Sequence, residues 1–143
     1  LKAYLKKDPF GQTARPILWV LTAALLLIGA IFYDHWYTAV TFFTLAALLF
    51  FNLQVWKTEY MGWFLIGYLV ALIPFIMVNG VLTALPVVEY NDLENLGIRL
   101  GTIPADDTMY GMLLILMNIN WYEYFQQKWQ LVSVRKVANH SFG

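Results

Sequence analysis

The sequence predicts an all-α fold, a polytopic membrane bundle of about four transmembrane helices in a single domain over residues 1–143. Three observations carry this reading. Hydrophobic residues make up 60% of the chain and charged residues only 13%. The apolar residues fall into long uninterrupted runs. Tryptophan, tyrosine and charged side chains gather at the ends of those runs. Average soluble domains hold roughly 45–50% apolar and about 25% charged residues. A soluble fold of this length has too little interior for such an excess, and lipid removes the need for one.

The first run covers residues 16–33, PILWVLTAALLLIGAIFY. As a helix rising about 1.5 Å per residue it crosses most of a hydrocarbon core about 30 Å thick. Pro16 suits a first helical position, where its missing N–H costs nothing. Asp34 and His35 end the run. The second span covers 36–53, with Trp36 and Tyr37 at one border and Gln54, Trp56 and Lys57 at the other, as expected of side chains at a membrane–water interface. The third covers 61–85 and contains Pro74, where a lost backbone hydrogen bond predicts a kink. An acidic polar segment follows over 86–107. The fourth span covers 108–125 and carries Asn118, Asn120 and Glu123, which predicts a helix packed inside the bundle. Residues 126–143 read as an interfacial or frayed end.

Charge sets the expected orientation. Lys2, Lys6, Lys7 and Arg15, then Lys57, then Lys128, Arg135 and Lys136 fall on one side of a four-span chain. By the positive-inside rule, both ends face the cytoplasm of a multi-pass cell-membrane protein and the acidic segment faces outward. Because residue 1 is Leu, the chain reads as part of a longer or processed protein. The run after Arg15 is too long for a cleavable signal peptide.

Composition excludes several function classes. Net charge is zero, which argues against a nucleic-acid partner. The chain has no cysteine and only two histidines, His35 and His140. Thiolate chemistry is therefore excluded, and no metal site is predicted. P-loop, dinucleotide-glycine and nucleophile-elbow motifs are missing, so phosphoryl transfer, flavin redox and serine hydrolysis lack support. No cofactor is predicted.

The chemistry-bearing stretch runs from Glu89 to Tyr124. Pro104-Ala105-Asp106-Asp107 reads as a helix start, with two carboxylates at the positive end of the helix dipole. Either they cap a helix at the interface, or they form an acid site at the mouth of an apolar pocket. Helical spacing puts Asp107, Tyr110, Leu114, Asn118 and Trp121 on one stripe. That stripe is either bundle packing, with Asn118 bonding a neighbouring helix, or a pocket wall whose aromatic faces stabilise a cation. Asp92 reads as a solvated loop charge. Arg99, the lone cation among these acids, pairs with one of them.

Glu89-Tyr90-Asn91, Glu94-Asn95-Leu96-Gly97-Ile98-Arg99-Leu100-Gly101-Thr102-Ile103-Pro104, Asp106-Asp107 and Tyr110-Gly111 resemble the lycopene cyclase domain, the small membrane type of carotenoid cyclase in bacteria and archaea. Pro74-Phe75, Val78-Asn79-Gly80 and the stretch 118–123 share the likeness. The family carries a Pro-x-Glu-Glu/Asp motif in each of two related half-domains. Here it reads Pro104-Ala105-Asp106-Asp107, with Asp where Glu is usual. One motif is present, so the chain resembles the second half of a fused cyclase or one subunit of a heterodimer, with an upstream half as partner.

The resemblance implies an acid-initiated, non-redox cyclisation of lycopene, an intramolecular lyase or isomerase reaction giving a β-ionone ring. It implies Asp106 or Asp107 as proton donor, with the other or Glu89 as partner or base and Arg99 tuning them. Tyr90, Tyr110 and Trp121 would stabilise the carbocation. Asn91, Asn95, Pro104 and Asn118 complete the expected substrate-binding set. Three other readings stay open: a non-catalytic assembly half, a carotenoid hydratase, and a proton-linked transporter. The last would place its acids near mid-span.

Overall fold

The computed structural model describes residue 8 and residues 10–85, 96–100 and 103–141, with backbone alone at 100 and 130–141. Four helices follow in order: α1 (Gly11–Ile31), α2 (Trp36–Phe50), α3 (Met61–Ala84) and α4 (Ala105–Ser141). A π-helical turn, Phe51–Val55, extends α2. Between α3 and α4 lies a small antiparallel hairpin, β1 (Arg99–Leu100) on β2 (Ile103–Pro104). The chain is thus an all-α membrane bundle with one short β element. Gly11–Ile31, Trp36–Val55 and Met61–Ala84 are each long and apolar enough to cross a membrane.

The apolar runs become helices for two reasons. Lipid leaves no water to satisfy main-chain groups, so the helix must satisfy its own. Several polar side chains also bond back along their own helices. In α1, Thr22 donates to the Leu18 carbonyl at 2.7 Å. In α3, Asn79 donates to Phe75 at 2.9 Å and Thr83 to Asn79 at 2.9 Å.

Helix α2 is the centre of the bundle, packed against α1 on one side and α4 on the other. The core joins Leu18 and Leu25 of α1, Phe42, Leu45 and Leu49 of α2, Met61, Phe64 and Tyr68 of α3, and Met112, Leu113 and Leu116 of α4. Beyond Tyr68, no residue of α3 is buried. Ile73, Met77 and Val81 point outward. In water such a surface would be a liability; in a bilayer it is the lipid face.

Several expectations change. Helix α1 starts at Gly11, so Pro16 lies inside it, not at its first position. The earlier start has a physical cause: the Asp8 carboxylate accepts the Phe10 N–H at 3.1 Å and organises the turn before the helix. Helix α4 runs on to Ser141, so residues 126–141 extend the fourth helix instead of forming a separate interfacial end. The hairpin was not foreseen. Its approach turns at Gly97, whose φ of +68° is a left-handed conformation that glycine adopts without a Cβ penalty.

Candidate functional site

Consecutive residues in the first turn of α2 meet consecutive residues in the first turn of α4. The Thr38 hydroxyl donates to Asp106 Oδ1 at 2.5 Å. The Tyr37 phenol donates to Asp107 Oδ1 at 2.7 Å. Farther along, Tyr60, just past the end of α2, donates to Asn120 Oδ1 of α4 at 2.8 Å. The two helices therefore run parallel, starting together at the acid pair.

Each member of the pair is held differently. Asp106 is fully buried. Its second oxygen, Oδ2, accepts the Leu96 main-chain N–H at 3.0 Å, so both oxygens are engaged. Asp107 is 9% exposed, at the edge of the buried zone. The ring of Tyr37 lies 6.2 Å from that of Tyr110, tilted by 49°, and Tyr110 is exposed on the outer face of α4. Asp107 therefore sits at the rim beside two aromatic rings. Asp106 sits behind it, in the wall.

The surroundings brace this arrangement. Ala105 N–H bonds the Ile98 carbonyl at 2.8 Å, joining the first residue of α4 to the residue just before β1. Ile103 and Pro104 of β2 are both buried. Tyr68 of α3 donates to the Thr108 carbonyl at 2.9 Å, and the Thr108 hydroxyl donates to Ala105 at 2.7 Å. The carboxylates thus stand on a helix start tied to α2, α3 and the hairpin.

Other expected residues are placed as follows. Glu89, Tyr90, Asn91, Asp92, Glu94 and Asn95 lie outside the described residues. Arg99 is exposed on β1, opposite Pro104. Among the described residues Asn118 bonds its own helix and not a neighbouring one: its amide donates to the Leu114 carbonyl at 2.8 Å. Trp121 is exposed and stacks on Phe125 at 5.8 Å. It follows Asp107 by fourteen positions (121 − 107 = 14), about 21 Å along a helix. The predicted stripe is real as a helix face, but beyond Asp107 that face points outward. His35 is half-buried, its ring 5.6 Å from that of Phe32. Its Nδ1 has no hydrogen-bond partner among the described residues.

Sequence reading missed Tyr37, Thr38 and Tyr68. Tyr37 reads as an interface aromatic, and Thr38 as one hydroxyl in an apolar run. The one available signal is that both open a span at the membrane face where the acidic segment also lies.

An apolar groove of about 570 Å³ opens elsewhere, lined among others by Trp19, Leu26, Phe43, Ala47 and Phe50. It lies between α1 and α2. Helical rotation puts Phe43, Ala47 and Phe50 on the side of α2 away from Thr38. The acids are not at its mouth, and it is not the chamber expected around them. Among the described residues, no group of three histidine or acidic side chains is placed to hold a metal ion.

Fold and site together define a membrane-embedded helical protein with a paired carboxylate at the end of its bundle. The chain belongs to the lycopene cyclase family, whose model matches residues 34–125 and so includes α2, α3, the hairpin, the acid pair and much of α4. Membership supports a carotenoid cyclase activity and a carotenoid as substrate. No curated protein and no solved structure matches the chain.

Proposed function

We propose that the protein is a lycopene β-cyclase component in which Asp107 is the proton donor. The carboxyl proton passes to the terminal isopropylidene double bond of lycopene. An O–H bond breaks and a C–H bond forms, leaving a tertiary carbocation. The neighbouring double bond attacks that carbon and closes a six-membered ring. Loss of a ring proton to a base then gives the β-ionone end group, with no change in atoms or oxidation level. Asp106 holds the start of α4 in place.

The observation that carries this reading is the position of Asp107. It lies at the rim of the buried zone, beside the rings of Tyr37 and Tyr110, on a helix start within a lipid-facing bundle. A C40 hydrocarbon dissolves only in the bilayer, so its acid must be reached from there. The aromatic faces suit a cation, because ring quadrupoles attract positive charge. The carboxylate left behind stabilises it further. In this reading the outward hairpin faces away from the cytoplasm, both ends of the chain lie on the cytoplasmic side, and an upstream half-domain completes the enzyme.

One observation favours a second reading, a non-catalytic assembly half. The hydrogen bonds to Asp106 and Asp107 join α2 to α4, as bonds that simply hold the helices together would. Pigment analysis of a lycopene-accumulating host carrying the full-length gene separates the two. Under the cyclase reading, Asp107→Asn abolishes cyclic product while the protein still accumulates in the membrane. Undiminished β-ionone product from Asp107→Asn overturns the acid role and leaves the assembly reading.

A further inference from the structure

The Tyr37 phenol does more than fill space beside the acid. It donates to Asp107 Oδ1 at 2.7 Å, across 70 residues of sequence. Its bonding direction matters for an acid catalyst. While Asp107 carries a proton, that bond holds the carboxyl group in place. As that proton departs, negative charge grows on the same carboxyl group. A donor already aimed at that charge lowers the barrier without reorganising.

We infer that Tyr37 is a positioning residue for the cyclisation, stabilising the Asp107 carboxylate that forms as the substrate is protonated. The inference rests on Asp107 being the proton donor. Thr38 provides an internal contrast. The adjacent residue makes the same kind of bond to the adjacent acid, but to Asp106, which is fully buried with both oxygens occupied. The two bonds divide the first turn of α2. Thr38 braces a buried carboxylate, and Tyr37 serves the one at the rim.

The balance of the step is simple. The proton leaves the Asp107 carboxyl group for the terminal alkene carbon, and the electrons of the broken O–H bond remain on the carboxylate. The Tyr37 hydroxyl keeps its own proton throughout. No oxidant, reductant or co-reactant is involved.

The test compares three forms of the full-length protein reconstituted in liposomes loaded with lycopene, at about pH 6, where the phenol is neutral. Tyr37→Phe should lower kcat roughly 100- to 1,000-fold, the scale expected for one donor at a developing oxyanion, with KM unchanged. Site-specific 3,5-difluorotyrosine at position 37, a stronger donor of the same shape, should raise kcat above that of wild type. Wild-type turnover by Tyr37→Phe overturns the inference, while inactive Asp107→Asn keeps the cyclase reading standing. Fully active Asp107→Asn removes both. A slow Tyr37→Phe whose fluorinated counterpart turns over only at the wild-type rate assigns the residue to packing and also overturns the inference. The fluorinated form decides the matter even where the phenylalanine variant folds poorly.

Discussion

The hydroxyl of Thr38 and the carboxylate of Asp106 meet 2.5 Å apart, and both side chains are fully buried. Neither can turn to water. Thr38→Val, close in shape, therefore leaves a carboxylate oxygen without its donor. A buried group stripped of one partner costs about 1–3 kcal/mol. Thermal unfolding of the detergent-solubilised protein should show that loss for Thr38→Val, while Thr38→Ser, which keeps the hydroxyl, stays near wild type. Equal stability of all three proteins would mean that the bond contributes nothing.

That contact shows where sequence reading stops. The helical spans were legible because continuous apolar runs of membrane-crossing length have few alternatives. Asp106 and Asp107 were legible because a proline followed by two carboxylates marks a helix start. Their partners were not. Pairing Tyr37 with Asp107 requires knowing that α2 and α4 begin side by side and in which register, a relationship between segments 70 residues apart. The aromatic stripe failed for a related reason. Periodicity defines a helix face, but not whether that face meets protein or lipid. Beyond Tyr68, α3 turns its apolar residues outward, and so does the Tyr110–Trp121 side of α4. Two-residue strands are too short to leave a periodic signal, so the hairpin was invisible.

At the other end of the bundle, one carboxylate ties the turn before α1 to the start of α3. Asp8 accepts the Phe10 N–H just before α1 and the Gly62 N–H in the first turn of α3, the latter at 2.6 Å. A Cβ on residue 62 would come within 2.6 Å of Asp8 Oδ2. Gly62→Ala therefore has to swing the carboxylate away and break the cap, at a cost of about 1 kcal/mol. In an Asp8→Ala background there is nothing left to displace. There, the higher helix propensity of alanine, up to about 1 kcal/mol, should make the same substitution neutral or stabilising. Unfolding of the four proteins in a double-mutant cycle measures this reversal of sign. A Gly62→Ala effect of the same size and sign in both backgrounds would rule out the shared cap.

Tyr60, just before α3, predicts a pH dependence. Burial, with a smaller contribution from the nearby charge of Glu123, pushes its phenol up to about 12 from an ordinary value of 10.0. Between those values the unfolded chain gives up the proton and the folded chain keeps it. The folded state then binds more protons, so stability falls as pH rises through this window and is fully present below it. Tyr60→Phe removes the titrating group along with its bond to Asn120. The stability gap between wild type and Tyr60→Phe should stay constant up to about pH 10 and narrow toward pH 12. Unfolding curves collected across that range report it, and a gap that widens with pH would contradict the assignment.

Two of the three aromatic residues expected to stabilise the carbocation, Tyr110 and Trp121, should separate cleanly. Tyr110 lies with its ring 6.2 Å from that of Tyr37, the donor to Asp107. A cation formed by proton transfer from Asp107 is generated within reach of that ring pair. Trp121 is about four helical turns farther along α4, stacked on Phe125 and exposed. A desolvated cation–π contact is worth about 1–2 kcal/mol, which is roughly 5- to 30-fold in rate. Tyr110→Leu should therefore slow cyclisation by about that factor. Its side chain is exposed, so the fold should tolerate the change. Trp121→Leu should leave turnover unchanged, because its ring lies too far from the reacting carbon to feel the charge. Initial rates of cyclic product in lycopene-loaded liposomes compare the two. A large loss from Trp121→Leu with none from Tyr110→Leu would place the reacting end of the polyene at the far end of α4 and remove Asp107 from the chemistry.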